Sequence, residues 1–224
     1  MILPFLRRAL AALENLVFPR DAVCLGCGKA CGGQPLCPDC RIELGMARVR
    51  PENQPGDDVR AVWVYQSVAG RLVRSIKDRG VEEAACVLAE GMAAFLRENS
   101  MVEDFTVTWV PMPDSRRRVR GVDHARVLAE ALGREAGLPV RQTLRRRPGS
   151  THRTQRGLNR EQRIVNVRNA FEAVGTPPPR LILVDDVRTT GTTCDTCAGV
   201  LREAGAERVA VLTATWSIRE QYNQ

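Results

Sequence analysis

The sequence predicts an α/β protein with an open, mostly parallel sheet and a small metal-binding module in front of it. From residue 59 onward, segments with strand patterns alternate with segments of helical periodicity. One predicted strand ends in two acidic residues, and a threonine-rich turn follows it directly. Two Cys-x-x-Cys pairs stand close together before residue 41. These observations predict the fold class and the places where ligands bind.

The strands and helices follow one another in a regular order. The predicted strands are 59–65, 106–110, 181–184 and 208–214, and the predicted helices are 69–97 with a break near 80, 123–136 and 194–204. Such alternation is typical of parallel strands joined by helical crossovers. The Arg-rich segment 145–169 has no apolar periodicity, so we expect an extended, mobile loop there.

The front of the chain is predicted to form a separate small domain. The polar segment 50–58 contains two Pro and marks a linker, which divides the chain into 1–50 and 51–224. Residues 2–17 are apolar with helical spacing, and we interpret them as a short amphipathic helix packed on the body. No segment approaches the roughly 18 apolar residues that cross a bilayer, so we expect no membrane insertion. The cysteine spacing favours metal binding in a reducing compartment, so we expect a cytoplasmic protein.

Positive charge is concentrated in one region. The formal net charge is +7, and residues 111–168 hold fifteen Arg against five Asp and Glu. Guanidinium groups bind phosphate oxygens, so this region suits a polyphosphate or a nucleic-acid backbone. The chain has only two Lys, so a general preference for Arg is an alternative explanation of the composition, although not of the clustering.

The segment Leu181–Thr193, LILVDDVRTTGTT, carries the most specific signal. Asp185 and Asp186 would stand where ligands bind in open α/β sheets, and adjacent carboxylates can accept hydrogen bonds from neighbouring ribose hydroxyls. The turn and the helix start after them would bind a phosphate. Its predicted phosphate-binding residues are Thr189, Thr190, Gly191, Thr192 and Thr193. The alternative is that these residues only end a strand and cap a helix.

The two cysteine pairs have the spacing of a zinc site. Nine residues separate the pairs, and each pair can supply two thiolates from one tight turn. The predicted ligands are Cys24, Cys27, Cys37 and Cys40. Cys31 is a spare thiol or replaces one ligand, and disulfides are the alternative in an oxidising compartment. Cys194 and Cys197 form a third such pair, which we interpret as helix packing in preference to a redox pair.

Taken together, these motifs resemble a known family. Leu181–Thr193 is similar to the phosphoribosyl pyrophosphate signature of type I phosphoribosyltransferases. Over nearly its whole length the chain resembles the ComF family of competence proteins, through LVFPRDAVCLGCG, LCPDC, WVPMPDSRRRVRG, TQRGLNREQRIVNVRNAF and LILVDDVRTTGTT. The resemblance implies a structural Zn²⁺, a phosphoribosyl pyrophosphate ligand bound with Mg²⁺, and a link to uptake of single-stranded DNA in natural transformation.

The resemblance also implies roles for other residues. The pyrophosphate would bind at Pro111, Met112, Pro113 and Arg116, and a flexible loop with Gln155, Arg160, Arg163 and Asn166 would close over the ligand. Asp185, Asp186 and Arg163 are the implied catalytic residues, with Arg153 as a weaker candidate. His152 in the same loop is a bystander or a general base. An alternative interpretation of Arg116–Arg118 is a solvated helix face.

Two departures from the family concern the acceptor end of the pocket. The family usually reads Arg-Gly-Phe-Asn-Gln where this chain has Arg120–His124, RGVDH, and Lys-Tyr-x-Gly where it has Lys77–Gly80, KDRG. Two functions therefore remain open: an enzyme that transfers the phosphoribosyl group, and a non-catalytic adaptor that binds single-stranded DNA or the DNA-import machinery. The sequence does not predict the oligomeric state or the acceptor.

Overall fold

A computed structural model describes residues 23–56, 58–147 and 170–217 of the chain. The predicted helix at 2–17 lies outside the described residues, as do the four residues of the predicted flexible loop, Gln155, Arg160, Arg163 and Asn166. His152 and Arg153 lie outside them too.

The main sheet contains four parallel strands. The described strands are β1 Val59–Val64, β2 Thr106–Trp109, β3 Leu144–Arg146, β4 Phe171–Ala173, β5 Arg180–Arg188 and β6 Arg208–Trp216. The order across the main sheet is β1-β6-β5-β2, and each of its three pairings is parallel. The prediction of an α/β fold with an open parallel sheet is therefore confirmed.

Helices connect the strands and cover the sheet. The described helices are α1 Pro38–Met46, α2 Ser67–Arg79, α3 Glu82–Glu98, α4 Asp114–Arg120, α5 His124–Ala136 and α6 Thr192–Glu203. The predicted break near residue 80 is confirmed, because Gly80 ends α2 in the left-handed conformation with a φ of 63°. Within the described ranges, each helix is too short or too polar to cross a bilayer.

Alternate residues of β5 face two separate apolar clusters. Ile182 and Val184 belong to the larger cluster, which also contains buried residues of α2, α3 and α5. Leu181 and Leu183 belong to the smaller cluster, with α6 and Phe171. Because side chains alternate across a strand, the two acids that follow, Asp185 and Asp186, also direct their side chains to opposite faces.

The front module is continuous with the body of the protein. Buried Cys24 and Cys40 belong to the same apolar cluster as Val68 of α2. The chain then runs antiparallel to β1, where the amide of Val49 donates to the carbonyl of Val62 at 3.0 Å. The division into domains 1–50 and 51–224 stays a prediction.

The loop predicted for residues 145–169 begins too early. Arg145 and Arg146 lie in β3, which pairs antiparallel with β4. The Arg146 guanidinium lies 4.6 Å from the centre of the Phe171 ring, and Arg145 forms an ion pair with Glu172 at 2.6 Å. A three-residue strand is too short to show a period in the sequence, so tertiary contacts determine this element.

Candidate functional site

The acidic strand end opens into a pocket of about 220 Å³ at the carboxyl edge of the main sheet. Seven of the predicted site residues line it: Pro111, Met112, Pro113, Arg116, Asp185, Asp186 and Thr193. Val110, directly before the pyrophosphate segment, also lines it, and three further lining residues were not predicted: Lys77, His124 and Arg146. The structure thus brings the predicted sugar and pyrophosphate residues together around one cavity.

The two acids have different surroundings. Asp185 accepts hydrogen bonds from the amide of Asp186 at 2.9 Å and from the thiol of Cys194 at 3.5 Å. Asp186 is turned toward the other face, where its Oδ2 lies 3.0 Å from Nζ of Lys77. Burial, and next the charge of Asp186, raise the pKa of Asp185 to about 7. Near neutral pH this carboxyl group can therefore exchange a proton.

The threonine-rich turn joins β5 to α6 through one glycine. Gly191 is the N-cap of α6 with a φ of 82°, a conformation that favours glycine. Thr190 and Thr192 place their hydroxyl oxygens 3.2 Å apart, and Thr189 and Thr190 are exposed. The first amides of a twelve-residue helix follow this turn, so the local field favours an anion.

An arginine lies beneath this turn. The Arg188 guanidinium pairs with Asp195 in α6, with nitrogen–oxygen distances of 3.1 and 3.3 Å. A Cβ atom built on Gly191 would overlap that guanidinium. The Arg188 guanidinium therefore packs against the turn, and a larger residue at position 191 would displace it.

The predicted pyrophosphate segment follows β2. The amide of Val110 donates to the carbonyl of Val184 at 3.0 Å, so the segment starts beside the acidic strand end. Nε of Arg146 donates to the carbonyl of Pro111 at 3.3 Å, and burial lowers the pKa of this guanidinium. Arg116 in α4 is exposed at the mouth of the pocket. Both cations line the same pocket as Thr193 at the start of α6.

The four predicted zinc ligands form one cluster. The sulfur atoms of Cys24, Cys27, Cys37 and Cys40 all lie within 4.8 Å of one another. The Cys27 and Cys37 sulfurs are 3.8 Å apart, which matches two thiolates about 2.3 Å from one tetrahedral Zn²⁺. This cluster can hold a metal ion.

The pKa shifts within the cluster differ, because local hydrogen bonds favour the thiolate of Cys24, whereas burial raises the pKa of Cys40. Burial alone would raise the pKa of Cys24, but hydrogen bonds from the backbone of Cys37, Cys27 and Gly26 and from the thiol of Cys40 outweigh it and lower the pKa to about 6. Cys31 stays outside the cluster, since its thiol donates to the carbonyl of Gln34 at 2.7 Å.

The third cysteine pair packs inside the protein. Cys194 and Cys197 are 2% and 0% exposed in α6, and both belong to the smaller apolar cluster. Burial raises the pKa of both thiols, which disfavours the reactive thiolate. The geometry favours helix packing over a redox role for this pair.

Sequence reasoning missed Lys77, His124 and Arg146 because three different elements bring them to the pocket. Lys77 is in the last turn of α2, His124 begins α5, and Arg146 ends β3. One signal was available for two of them, since Lys77 and His124 stand in the two segments that depart from the family pattern.

Comparisons with known proteins give the chain its relatives. No family model matches. Competence protein F of Haemophilus influenzae is 27% identical over 217 residues, which cover 91% of this chain and 94% of that protein. Competence protein ComFC of Bacillus subtilis is 25% identical over 183 residues, covering 82% of this chain and 72% of that protein.

Among solved structures, the chain is similar to glutamine phosphoribosylpyrophosphate amidotransferase of B. subtilis. The identity is 27% and the TM-score is 0.39, over 58% of this chain. The match spans 26% of the amidotransferase chain, about a quarter of its length.

The protein is an α/β protein with a parallel four-stranded main sheet and a four-cysteine cluster in its front module. Its predicted resemblance to the ComF family is confirmed, because its curated relatives are competence proteins F and ComFC.

Proposed function

We propose that the protein binds phosphoribosyl pyrophosphate, or a related sugar phosphate, in the pocket at the end of β5. One observation carries the proposal: the acidic strand end, the helix start after the threonine turn and the cationic side of the pocket surround one cavity. A ligand with a diol between two phosphate groups matches that order of chemistry. The names of the relatives support a role in DNA uptake during natural transformation.

Each part of the pocket has a task in this proposal. Asp185 and Asp186 accept hydrogen bonds from the ribose hydroxyls, and the turn from Thr189 to Thr193 binds the 5-phosphate. The pyrophosphate lies along Pro111–Pro113, beside the guanidinium of Arg116. Mg²⁺ bound to oxygens of the ligand itself would reduce the repulsion between its phosphates. In a transfer reaction, a nucleophile would form a bond to the anomeric carbon while the bond to pyrophosphate breaks.

The front module is proposed to hold a structural Zn²⁺ with four thiolates and no open position. Residues 23–37 have few regular hydrogen bonds, so the metal would supply much of the order of this segment. Its role is then to fix α1, which packs on α2 beside the ion pair of Glu43 and Arg71 at 3.7 Å.

Binding of ligand fragments tests the proposal. Calorimetry of the wild type is expected to show that phosphoribosyl pyrophosphate with Mg²⁺ binds more tightly than ribose 5-phosphate or pyrophosphate alone. Arg116→Ala is expected to weaken binding of phosphoribosyl pyrophosphate and of pyrophosphate by about tenfold, and to leave binding of ribose 5-phosphate unchanged. Equal loss for all three ligands, or no binding by the wild type, would contradict the proposed arrangement.

A second candidate function is an adaptor that binds single-stranded DNA. The exposed Arg116 and Arg118 of α4 favour it, because a short helix rich in arginine at the surface suits a polyanion. A pyrophosphate-release assay with nitrogen acceptors, run beside transformation assays of Asp185→Asn and Asp186→Asn, separates the two functions. Release together with lost transformation favours the enzyme, whereas normal transformation by these variants favours the adaptor.

A further inference from the structure

A lysine and a histidine side chain from different helices converge on one oxygen of Asp186. Nζ of Lys77 lies 3.0 Å from Oδ2, and Nε2 of His124 lies 3.1 Å from the same atom. The Asp186 side chain is 6% exposed, whereas those of Lys77 and His124 are 22% and 15% exposed. All three side chains line the sugar-phosphate pocket. The contacts are therefore part of the pocket wall.

The backbone around each partner restricts its position. Lys77 stands one turn before the left-handed Gly80 that ends α2, after the buried Val73 and Ile76. His124 follows Asp123, the N-cap of α5, whose carboxylate accepts hydrogen bonds from the amides of Arg126 and Met112, both at 3.4 Å. Asp123 thus joins the start of α5 to the pyrophosphate segment. The two helices thus bring the ammonium group of Lys77 and the imidazole ring of His124 to the acid.

We propose that Lys77 and His124 are positioning residues of the ligand site, which hold Asp186 in the orientation that accepts hydrogen bonds from the sugar. The inference rests on the proposed function. It goes beyond the sequence motif, because the motif contains neither residue. It also gives a task to the two segments in which the chain departs from the usual family pattern.

Electrostatics supports this role. Burial of the Asp186 carboxylate is unfavourable unless polar or charged groups contact it, and Asp185 places a second carboxyl group next to it. Nζ of Lys77 and Nε2 of His124 both approach Oδ2 of Asp186. The remaining charges that line the pocket are the cations Arg116 and Arg146, which belong to α4 and β3. Lys77 supplies a positive charge next to Asp186, and the His124 ring contacts the same carboxylate oxygen.

Substitution of Lys77 tests the inference against a matched control. Lys29, the second lysine of the chain, is exposed in the front module, so Lys29→Met makes the same chemical change away from the pocket. Lys77→Met is expected to weaken binding of ribose 5-phosphate at least about tenfold in calorimetry, because truncating one partner of a buried charge pair leaves the other uncompensated. Lys29→Met is expected to bind like the wild type.

Two further variants separate positioning from a purely structural role. Lys77→Arg keeps the cation and is expected to bind within about threefold of the wild type, while His124→Gln is expected to lose about three- to tenfold. The chain has two histidines, so the ring signals of His124 can be identified by their absence from His124→Gln. In nuclear magnetic resonance spectra, those signals are expected to shift when ribose 5-phosphate is added and when Asp186 is changed to Asn.

The outcomes keep the inference distinct from the proposed function. Wild-type binding of ribose 5-phosphate together with equal binding by folded Lys77→Met would overturn the inference alone. The inference would also be overturned if Lys77→Arg lost as much affinity for ribose 5-phosphate as Lys77→Met. The same holds if the His124 signals shifted neither with the ligand nor in Asp186→Asn. A wild type that binds no sugar phosphate would overturn the proposed function, and the positioning role with it.

Discussion

At the scale of single residues, the two adjacent acids of β5 are not equivalent. Strand geometry directs Asp186 toward Lys77 and His124, and Asp185 toward the thiol of Cys194. The sequence predicted both acids as site residues, but it could not predict their different partners, which come from helices far away in the chain. An inventory of rare residue types would have drawn attention to Lys77, one of two lysines.

The raised pKa of Asp185 predicts how stability depends on pH. Its pKa is about 7 in the folded protein and near the ordinary 3.8 when unfolded, so the folded state holds the proton more strongly. This contribution to stability is complete below about pH 4 and disappears as the pH rises through 7. The difference in unfolding free energy between Asp185→Asn and the wild type is therefore expected to be about 1–3 kcal/mol more favourable to the variant at pH 8 than at pH 5.

Chemical denaturation of both proteins at the two pH values measures this difference. Glu207→Gln, at an exposed acid outside the pocket, serves as a control for general effects of charge. A difference between Asp185→Asn and the wild type that does not change with pH would contradict the raised pKa.

At the scale of elements, the turn before α6 depends on one glycine. Gly191 combines a φ of 82° with the close guanidinium of Arg188, whereas Gly175 has a φ of 64° and open space around its missing side chain. Gly175→Ala is thus expected to lose about 1 kcal/mol of unfolding free energy from backbone strain alone. Gly191→Ala is expected to lose more unfolding free energy, and to bind ribose 5-phosphate at least about tenfold more weakly than the wild type. Equal losses of stability in the two variants would contradict the close packing of the turn.

The cysteine cluster is an element whose ligand set was predicted from spacing alone. The four sulfur atoms lie close together because each Cys-x-x-Cys pair encloses its own turn, so local sequence determines most of the geometry. We expect one Zn²⁺ per chain in freshly purified, reduced protein, measured by elemental analysis. Cys24→Ser is expected to lose the metal and Cys31→Ser to keep it. Protein without metal, or loss of metal in Cys31→Ser, would contradict this assignment.

At the scale of the whole molecule, long periodic elements could be predicted and short or distant ones could not. The parallel strands β1, β2, β5 and β6 follow from apolar runs between helices, because burial on both faces leaves a clear pattern. The strand pair β3–β4 has three residues in each strand; the predicted loop 145–169 included part of β3, and β4 was not predicted. The sequence also did not predict where the front module packs. Its residues Cys24 and Cys40 share an apolar cluster with Val68 of α2.

The same contrast applies to the ligand site. The sequence predicted that three segments bind ligands. These are β5 with its turn, the segment after β2 and the cysteine pairs. The pocket itself depends on how α2, α5 and β3 lie against the sheet, and these contacts have no local signature. A function proposed from the motif therefore needs a measurement on the assembled pocket.

The most direct test is binding of phosphoribosyl pyrophosphate with Mg²⁺ to the double variant Asp185→Asn with Asp186→Asn. Calorimetry is expected to show binding by the wild type and none by the variant, while circular dichroism shows that both are folded. Equal binding by the two proteins would contradict the claim that the acidic end of β5 holds the sugar.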